Sequence, residues 1–244
     1  MKIEITNKRK LRDLILNGIT AEELDSKYDY SSITNMSYMF HECESLETIP
    51  LIDTSNVTNM NGMFDDCRSL KEIPSLNTSK VTYASYMFNG CSSLKTIPLI
   101  DTSNVTNMSR MFDGCSSLES IPYIDTSNVT KMNGMFEYCE SLKTIPLLNT
   151  SNVTNMSYMF SGCKSLDTIP LLDTSNVTDM CYMFYGCESI KEIPLLDTSN
   201  VTDMSYMFTK CDNLINIDPF NFHLFDFSII ENEQFKEKYP ELFI

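Results

Sequence analysis

One phrase recurs through this chain and constrains its fold more than any other feature. LIDTSNVTNMNGMFDDC at 51–67 returns as LIDTSNVTNMSRMFDGC at 99–115, LLNTSNVTNMSYMFSGC at 147–163 and LLDTSNVTDMSYMFTKC at 195–211. The unit reads S-L-x-x-I-P-L-I/L-D/N-T-S-N-V-T-x-M-S/N-x-M-F-x-x-C-x, with a period of 24 residues and no insertion or deletion from Cys43 to Cys211. A strict period means that each unit matches the height and outline of its neighbours. An array of this kind grows by stacking, so the 244-residue length is not a guide to domain number.

Within a unit, Leu70, Ile73 and Leu76 form a short extended apolar run, and Pro74 prevents it from continuing as a helix. The run predicts a strand of roughly three to five residues that ends or breaks at the proline column Pro74, Pro98, Pro122. Asp-Thr-Ser-Asn comes next, whose side chains bond nearby N–H groups and make a turn that also caps a helix start. Val57, Met60, Phe64 and Cys67, with Met63 beside them, then fall on one helical face. Gly90, Gly114, Gly162 and Gly186 stand where a helix closes with a left-handed residue. The expected unit is therefore strand, turn and short α- or 3₁₀-helix. No single unit can bury its Leu, Ile, Val, Met, Phe and Cys, whereas eight stacked units make one interior.

The ends differ from the middle, as an open array requires. Residues 1–27 predict an N-terminal cap: a strand over 2–6, a helix from about 8 to 17 stopped by Gly18, and a capping box Thr20-x-x-Glu23 opening a second helix. The solenoid occupies 28–217. Residues 218–244 predict a Phe-rich closing segment in which Phe220, Phe222, Phe225 and Phe227 cover the last unit, and Ser228-x-x-Glu231 caps a helix reaching about Tyr239. The other use of that surface is a homodimer contact.

SNVTNMSYMFxGCxSLxxIP, kept in eight units over 28–217, strongly resembles the BspA-like leucine-rich repeats, which include the repeat domain of Mycoplasma lipoproteins and of many bacterial surface proteins. The resemblance implies an α/β repeat solenoid, a right-handed leucine-rich-repeat array. It implies adhesion to, or binding of, protein partners, and it supplies no catalytic residues.

Net charge is −15, which disfavours unaided binding to nucleic acid or to an anionic membrane surface. No apolar run approaches the roughly 20 residues of a membrane span. The opening MKIEITNKRKLRDLILNGIT does not read as a secretory signal, so the chain as given is expected to be cytoplasmic. A cell-surface or virion location applies if a signal was removed or the gene is phage-borne. The acidity also supports a second reading, an intracellular phage or bacterial inhibitor directed at a basic partner, although Lys71, Lys95, Lys143 and Lys191 interrupt the acidic surface.

Eight of the nine cysteines recur with the unit, and Cys181 is the exception. A column of one thiol per unit reads as a packing ladder rather than as disulfides. Asp53, Asp101, Asp125, Asp173 and Asp197 share a column with Asn77 and Asn149. Neighbours such as Asp101 with Asp125, and Asp173 with Asp197, are weak cation candidates, but free exchange with Asn favours turn capping. Asn-Val-Thr at Asn56, Asn104, Asn128, Asn152, Asn176 and Asn200 matches a glycosylation acceptor and reads more simply as turn chemistry. His41 and His223 have no repeating carboxylate or thiol partner, and both read as solvated or cap residues. The basic run Lys8, Arg9, Lys10, Arg12 reads as the solvated face of the cap helix. No phosphate loop, metal motif or nucleophile constellation is present, so the expectation is a non-enzyme without a cofactor.

The most informative variation lies in the column before Met-Phe: Tyr38, Gly62, Tyr86, Arg110, Gly134, Tyr158, Tyr182 and Tyr206. Its core neighbours hardly change, so it is expected to point outward. Tyrosine offers large contact area at low entropy cost. Tyr38, Tyr86, Arg110, Tyr158, Tyr182 and Tyr206 are therefore the candidate binding residues, the alternative being that the rings cover the methionines beneath.

Overall fold

The computed structural model describes residues 2–217 and 233–240. The N-terminal elements are β1 (Ile3–Glu4), α1 (Lys8–Leu16), α2 (Ala21–Lys27) and β2 (Tyr28–Asp29), with β1 and β2 paired in parallel. Asn7 caps α1, its side chain accepting from the Arg9 N–H. The capping box of α2 is formed in both directions between Thr20 and Glu23. Leu11, Ile15 and Leu24 turn inward onto the first unit. At the other end α3 (Glu233–Lys238) places Phe235 in the core, and the Tyr239 hydroxyl donates to the Ile217 carbonyl at 2.8 Å. The expected Phe220, Phe222, Phe225, Phe227 and Ser228 cap features lie outside the described residues.

Between these ends the units stack in register. Parallel bridges run in one series from Asn35 through Asn59, Tyr83, Asn107, Lys131, Asn155 and Asp179 to Asp203, each a step of one unit. The ladder therefore sits in the Val-Thr-x-Met segment and the turns C-terminal to it, not in the Leu-x-x-Ile-Pro run that predicts a strand. In that run a single bridge, Glu192 to Asn216, occurs among the described residues. The prolines supply the reason, since each removes a donor from the run.

The expected short helix does not form either. Met36, Tyr38, Phe40 and Glu42 donate their N–H groups to Asn59, Asn61, Met63 and Asp65 of the next unit, at 2.8–2.9 Å. The intervening Met39, His41 and Cys43 donate three residues back within their own unit. A helix needs each of these donors for its own i−4 carbonyl, and half of them leave the unit. Two residues per unit are left-handed, such as Tyr38 and Glu42 or Gly62 and Asp66, with φ between 54° and 58°. Such a backbone is a string of tight turns.

The side chains assigned to the helical face are nevertheless the buried ones. Val57, Met60, Met63, Phe64, Cys67 and Leu70 are at most 1% exposed, and Ile73 and Leu76 complete the unit's interior. The phenylalanines form one continuous stack from Phe40 to Phe208, with neighbouring ring centroids 5.5–5.9 Å apart and planes within 13° of parallel. Each cysteine beside them is free. The Cys67 thiol donates to the Phe40 carbonyl of the preceding unit at 3.0 Å, and Cys91 to Cys211 repeat the contact. Phe40 O also accepts the Cys43 N–H, so a buried carbonyl has both lone pairs engaged.

Polar ladders lie outside this core. Asn104 Nδ2 donates to the Ser79 carbonyl of the preceding unit at 2.8 Å, and Asn128, Asn152, Asn176 and Asn200 do the same with their own neighbours. The Asn of Asn-Val-Thr is thus a tie between units. Thr102, Thr126, Thr150 and Thr174 donate the other way, to the carbonyl of the Asp or Asn that precedes the Thr in the next unit.

Candidate functional site

The varied column before Met-Phe lies where the backbone is left-handed. Tyr38, Tyr86, Arg110, Tyr158, Tyr182 and Tyr206 all have φ between 54° and 61°, as do Gly62 and Gly134 in the same column to within a degree. An L-residue in this region meets its own carbonyl, at a cost of roughly 1–2 kcal/mol that glycine escapes. Gly62 has a second reason to lack a side chain, because a Cβ there would stand 2.3 Å from the Tyr38 ring. The Tyr38 ring leans over the next unit and is half exposed. Tyr158, Tyr182 and Tyr206 form a stack with centroids 4.7 Å apart at both steps. Tyr206 is exposed at its end, while Tyr158 and Tyr182 are half-buried. Tyr185 packs at a tilt on Tyr182, and the Lys210 ammonium lies 5.3 Å from the Tyr185 ring.

Arg110 interrupts the aromatic column and is paired with two carboxylates. Its Nη1 lies 2.6 Å from Asp113 Oδ2 and 2.9 Å from Glu137 Oε2. Both carboxylates are buried, and the contact to Glu137 is an ion pair without the alignment of a hydrogen bond. Burial first, and the neighbouring Asp113 charge second, push the Glu137 carboxyl up to about 7. Near the start of the same face stands His41, whose Nδ1 is 3.1 Å from Asp65 Oδ2 of the next unit. His41 is exposed, as expected of a solvated residue, and in-register stacking adds the Asp65 carboxylate of the next unit to that of its neighbour Glu42, whose Oε1 lies 3.5 Å from His41 Nε2. His223 lies outside the described residues.

The Asp column is engaged on its own turns. Asp101 accepts from the Ser103 N–H and hydroxyl at 3.0 and 2.6 Å, and Asp173 from those of Ser175 at 3.1 and 2.7 Å. Asp125 and Asp197 accept from the amides of Ser127 and Ser199. These bonds hold the Asp101, Asp173 and Asp197 carboxyls below the ordinary range. Among the described residues, the three ligating side chains within 4.8 Å of one another are Asp179, Cys181 and Asp203, in the bridge column instead. Burial, then the hydrogen bond with Asp179, raises the Cys181 thiol to about 12, which opposes the thiolate a soft metal needs. The basic run is only partly solvated: Lys8 Nζ donates to the Ser37 carbonyl and is half-buried with Arg12, while Arg9 and Lys10 are exposed.

A second exposed feature is an apolar row. Leu51, Leu99, Tyr123, Leu147, Leu171 and Leu195, each just after a column proline, are 56–67% exposed. Tyr123 and the last three leucines border an open groove of 840 Å³, whose rim carries Asn149, Asp173 and Asp197.

Stacked units around a phenylalanine ladder, tied by asparagine and threonine rows, define a leucine-rich repeat protein of BspA-like type. The chain belongs to the family described as Mycoplasma protein of unknown function, DUF285, whose model matches residues 14–121, 95–191 and 166–234. No curated protein matches it. Among solved structures, a leucine-rich repeat protein from Eubacterium ventriosum is 23% identical over 75% of this chain and 45% of its own, with a TM-score of 0.51, a likeness of fold. A T. pallidum leucine-rich repeat protein is 24% identical over 59% of this chain and 66% of its own, with a TM-score of 0.47. A leucine-rich cell surface protein from Faecalibacterium prausnitzii is 27% identical over 69% of this chain and 44% of its own, with a TM-score of 0.48. The chain thus spans less than two thirds of the length of these relatives. Among the described residues no helix is long and apolar enough to cross a membrane.

Proposed function

We propose that this protein is a non-enzymatic interaction scaffold that presents the tyrosine column of its solenoid to a protein partner. The reading takes the array as right-handed, with eight units over 28–217, a cap at 1–27 and a closing segment at 218–244. One observation carries it: Tyr158, Tyr182 and Tyr206 stack in a row, half-buried at the first two and exposed at Tyr206, at a left-handed backbone position that Gly62 and Gly134 occupy in other units. The backbone conformation there is the one glycine adopts most readily, and tyrosine takes it at a cost, which supports a role for the rings beyond the backbone. Aromatic side chains with few rotamers lose little entropy when a partner covers them. Adhesion to a protein ligand is the form this activity takes if the chain is displayed on a cell surface.

The test replaces Tyr158, Tyr182 and Tyr206 together by Ala and compares capture of partners from the native host with that by the wild type. The expected result is loss of the partner with an unchanged thermal unfolding profile. Unchanged capture overturns the reading. Capture by wild type and variant alike that disappears steeply as salt rises supports instead the acidic-inhibitor reading.

A further inference from the structure

The leucine row has no part in the fold's interior. Within each Leu-Leu or Leu-Ile pair the second residue is buried, as Leu148, Leu172 and Leu196 are, while the first faces out. Residue type alone does not require this, because Ser75 occupies the row between Leu51 and Leu99. Exposed apolar residues standing singly need no explanation, but this row is contiguous over successive units and borders a groove. From Tyr123 to Leu195 it spans four units, roughly 15 Å at the spacing of neighbouring strands. A second groove of 560 Å³, lined by Leu99 and Tyr123 among others, continues it toward the N-terminus.

The rims decide what fits. Asp101 and Asp125 line one groove, Asp173 and Asp197 the other, and among the described residues no lysine or arginine lines either. Lys71 belongs to the preceding run and is paired with Glu47 at 2.9 Å. The Asp carboxylates are fixed in place by the serines two residues on. An apolar floor with an anionic edge repels anionic membrane surfaces and nucleic acid. It also repels a second copy laid row on row, which would bring the same aspartates face to face.

We propose that the leucine row, from Leu99 through Tyr123 to Leu195, is a docking groove for a basic amphipathic polypeptide segment, whose apolar side chains cover the leucines and whose Lys or Arg side chains reach the aspartates. This surface is distinct from the tyrosine column.

The chain itself supplies variants that preserve the fold. Leu147→Ser, Leu171→Ser and Leu195→Ser copy Ser75. Asp125→Asn, Asp173→Asn and Asp197→Asn copy Asn149, which caps its turn just as the aspartates do, accepting from the Ser151 N–H and hydroxyl at 3.2 and 2.8 Å. Fluorescent synthetic peptides of alternating Leu-Lys, Leu-Glu and Ser-Lys serve as probes in anisotropy titrations with the full chain. The Leu-Lys peptide is expected to bind, and the other two to bind at least about tenfold more weakly. The serine triple variant is expected to lose about tenfold in affinity. The asparagine triple variant is expected to lose a similar factor and much of its salt dependence. The Tyr158, Tyr182, Tyr206 alanine variant keeps wild-type peptide affinity, which separates this groove from the tyrosine face. Wild-type affinity in both the serine and asparagine variants overturns the proposal, as does equal binding of the Leu-Glu peptide. A concentration-dependent dimer abolished by the serine changes assigns the row to a second copy, and binding to neutral lipid vesicles assigns it to a membrane; either result overturns it. If the serine variant fails to fold, the asparagine variant and the peptide comparison decide alone.

Discussion

Arg110 Nη1 stands 2.9 Å from Glu137 Oε2, one unit further along, and is the cation that compensates this buried carboxylate. The pair is stability chemistry, and its pH dependence has a definite sign. Glu137 in the folded chain titrates near 7, raised from 4.5 chiefly by burial. An acid raised in this way binds its proton more tightly when folded. Its contribution therefore favours the folded state below the unfolded value and is lost as pH rises through about 7. Asp113, also raised by burial, acts with the same sign.

Glu137→Gln is accordingly expected to flatten the dependence of Tm on pH between 4.5 and 7. At pH above 7 it should gain on the order of 2 kcal/mol over the wild type, and at low pH nothing. Thermal melts across that range check it. A variant that parallels the wild-type curve contradicts the burial of an ionised Glu137.

Arg110→Ala leaves two buried carboxylates without a cation. The cost is expected to be about 2 kcal/mol at neutral pH, below that of a fully buried pair because Arg110 is itself a third exposed, and smaller under acid conditions. Denaturant titrations at two pH values measure the difference.

Phe136 lies between Phe112 and Phe160, at 5.7 and 5.9 Å, and is fully buried. Phe136→Ala should cost about 3–5 kcal/mol by equilibrium unfolding, and Phe136→Leu much less. A small loss for the alanine variant would mean that the ladder is not the common interior.

At the left-handed Tyr158, glycine should be better tolerated than alanine, by about 1 kcal/mol, since both remove the ring but only glycine removes the backbone strain. Comparing the two variants by thermal unfolding tests the ordering directly.

Most of the core is legible in the sequence because a strict period turns columns into faces. Val57, Met60, Phe64 and Cys67 read correctly as one inward face. Their helical spacing suggests the wrong backbone, because cross-unit amide bonds are invisible to a rule that sees only i to i+4. Gly62 and Gly134 in the tyrosine column signal a left-handed position, but tyrosine rarely adopts one, and the commoner residue type masks the signal. The Arg110–Asp113–Glu137 cluster is readable in principle, since Asp113 and Glu137 sit one period apart. The outward leucine row is hidden by residue type: Leu147 and Leu148 look alike until the backbone places one on each side.

Cysteine burial makes a further prediction. Cys67, pushed up to about 12 chiefly by burial, and the deeper Cys91 to Cys211 of its column should not react with a thiol reagent in the folded protein. Reaction at neutral pH should appear first at the half-buried Cys43, with Cys181 slowed because its thiol is also raised to about 12, and all nine thiols should appear only on unfolding. Early labelling of Cys115 or Cys139 would contradict a closed core.

The most direct test of the shared interior is site-resolved amide hydrogen exchange along the phenylalanine column. Phe40, Phe64, Phe88, Phe112, Phe136, Phe160 and Phe184 each donate their N–H to a methionine carbonyl of the next unit, at 2.9–3.0 Å. All seven amides are expected to exchange only through unfolding of the array, at similar slow rates. Exchange of these amides as fast as that of exposed turn residues such as Asn200 would contradict the stacked ladder and everything built on its surface.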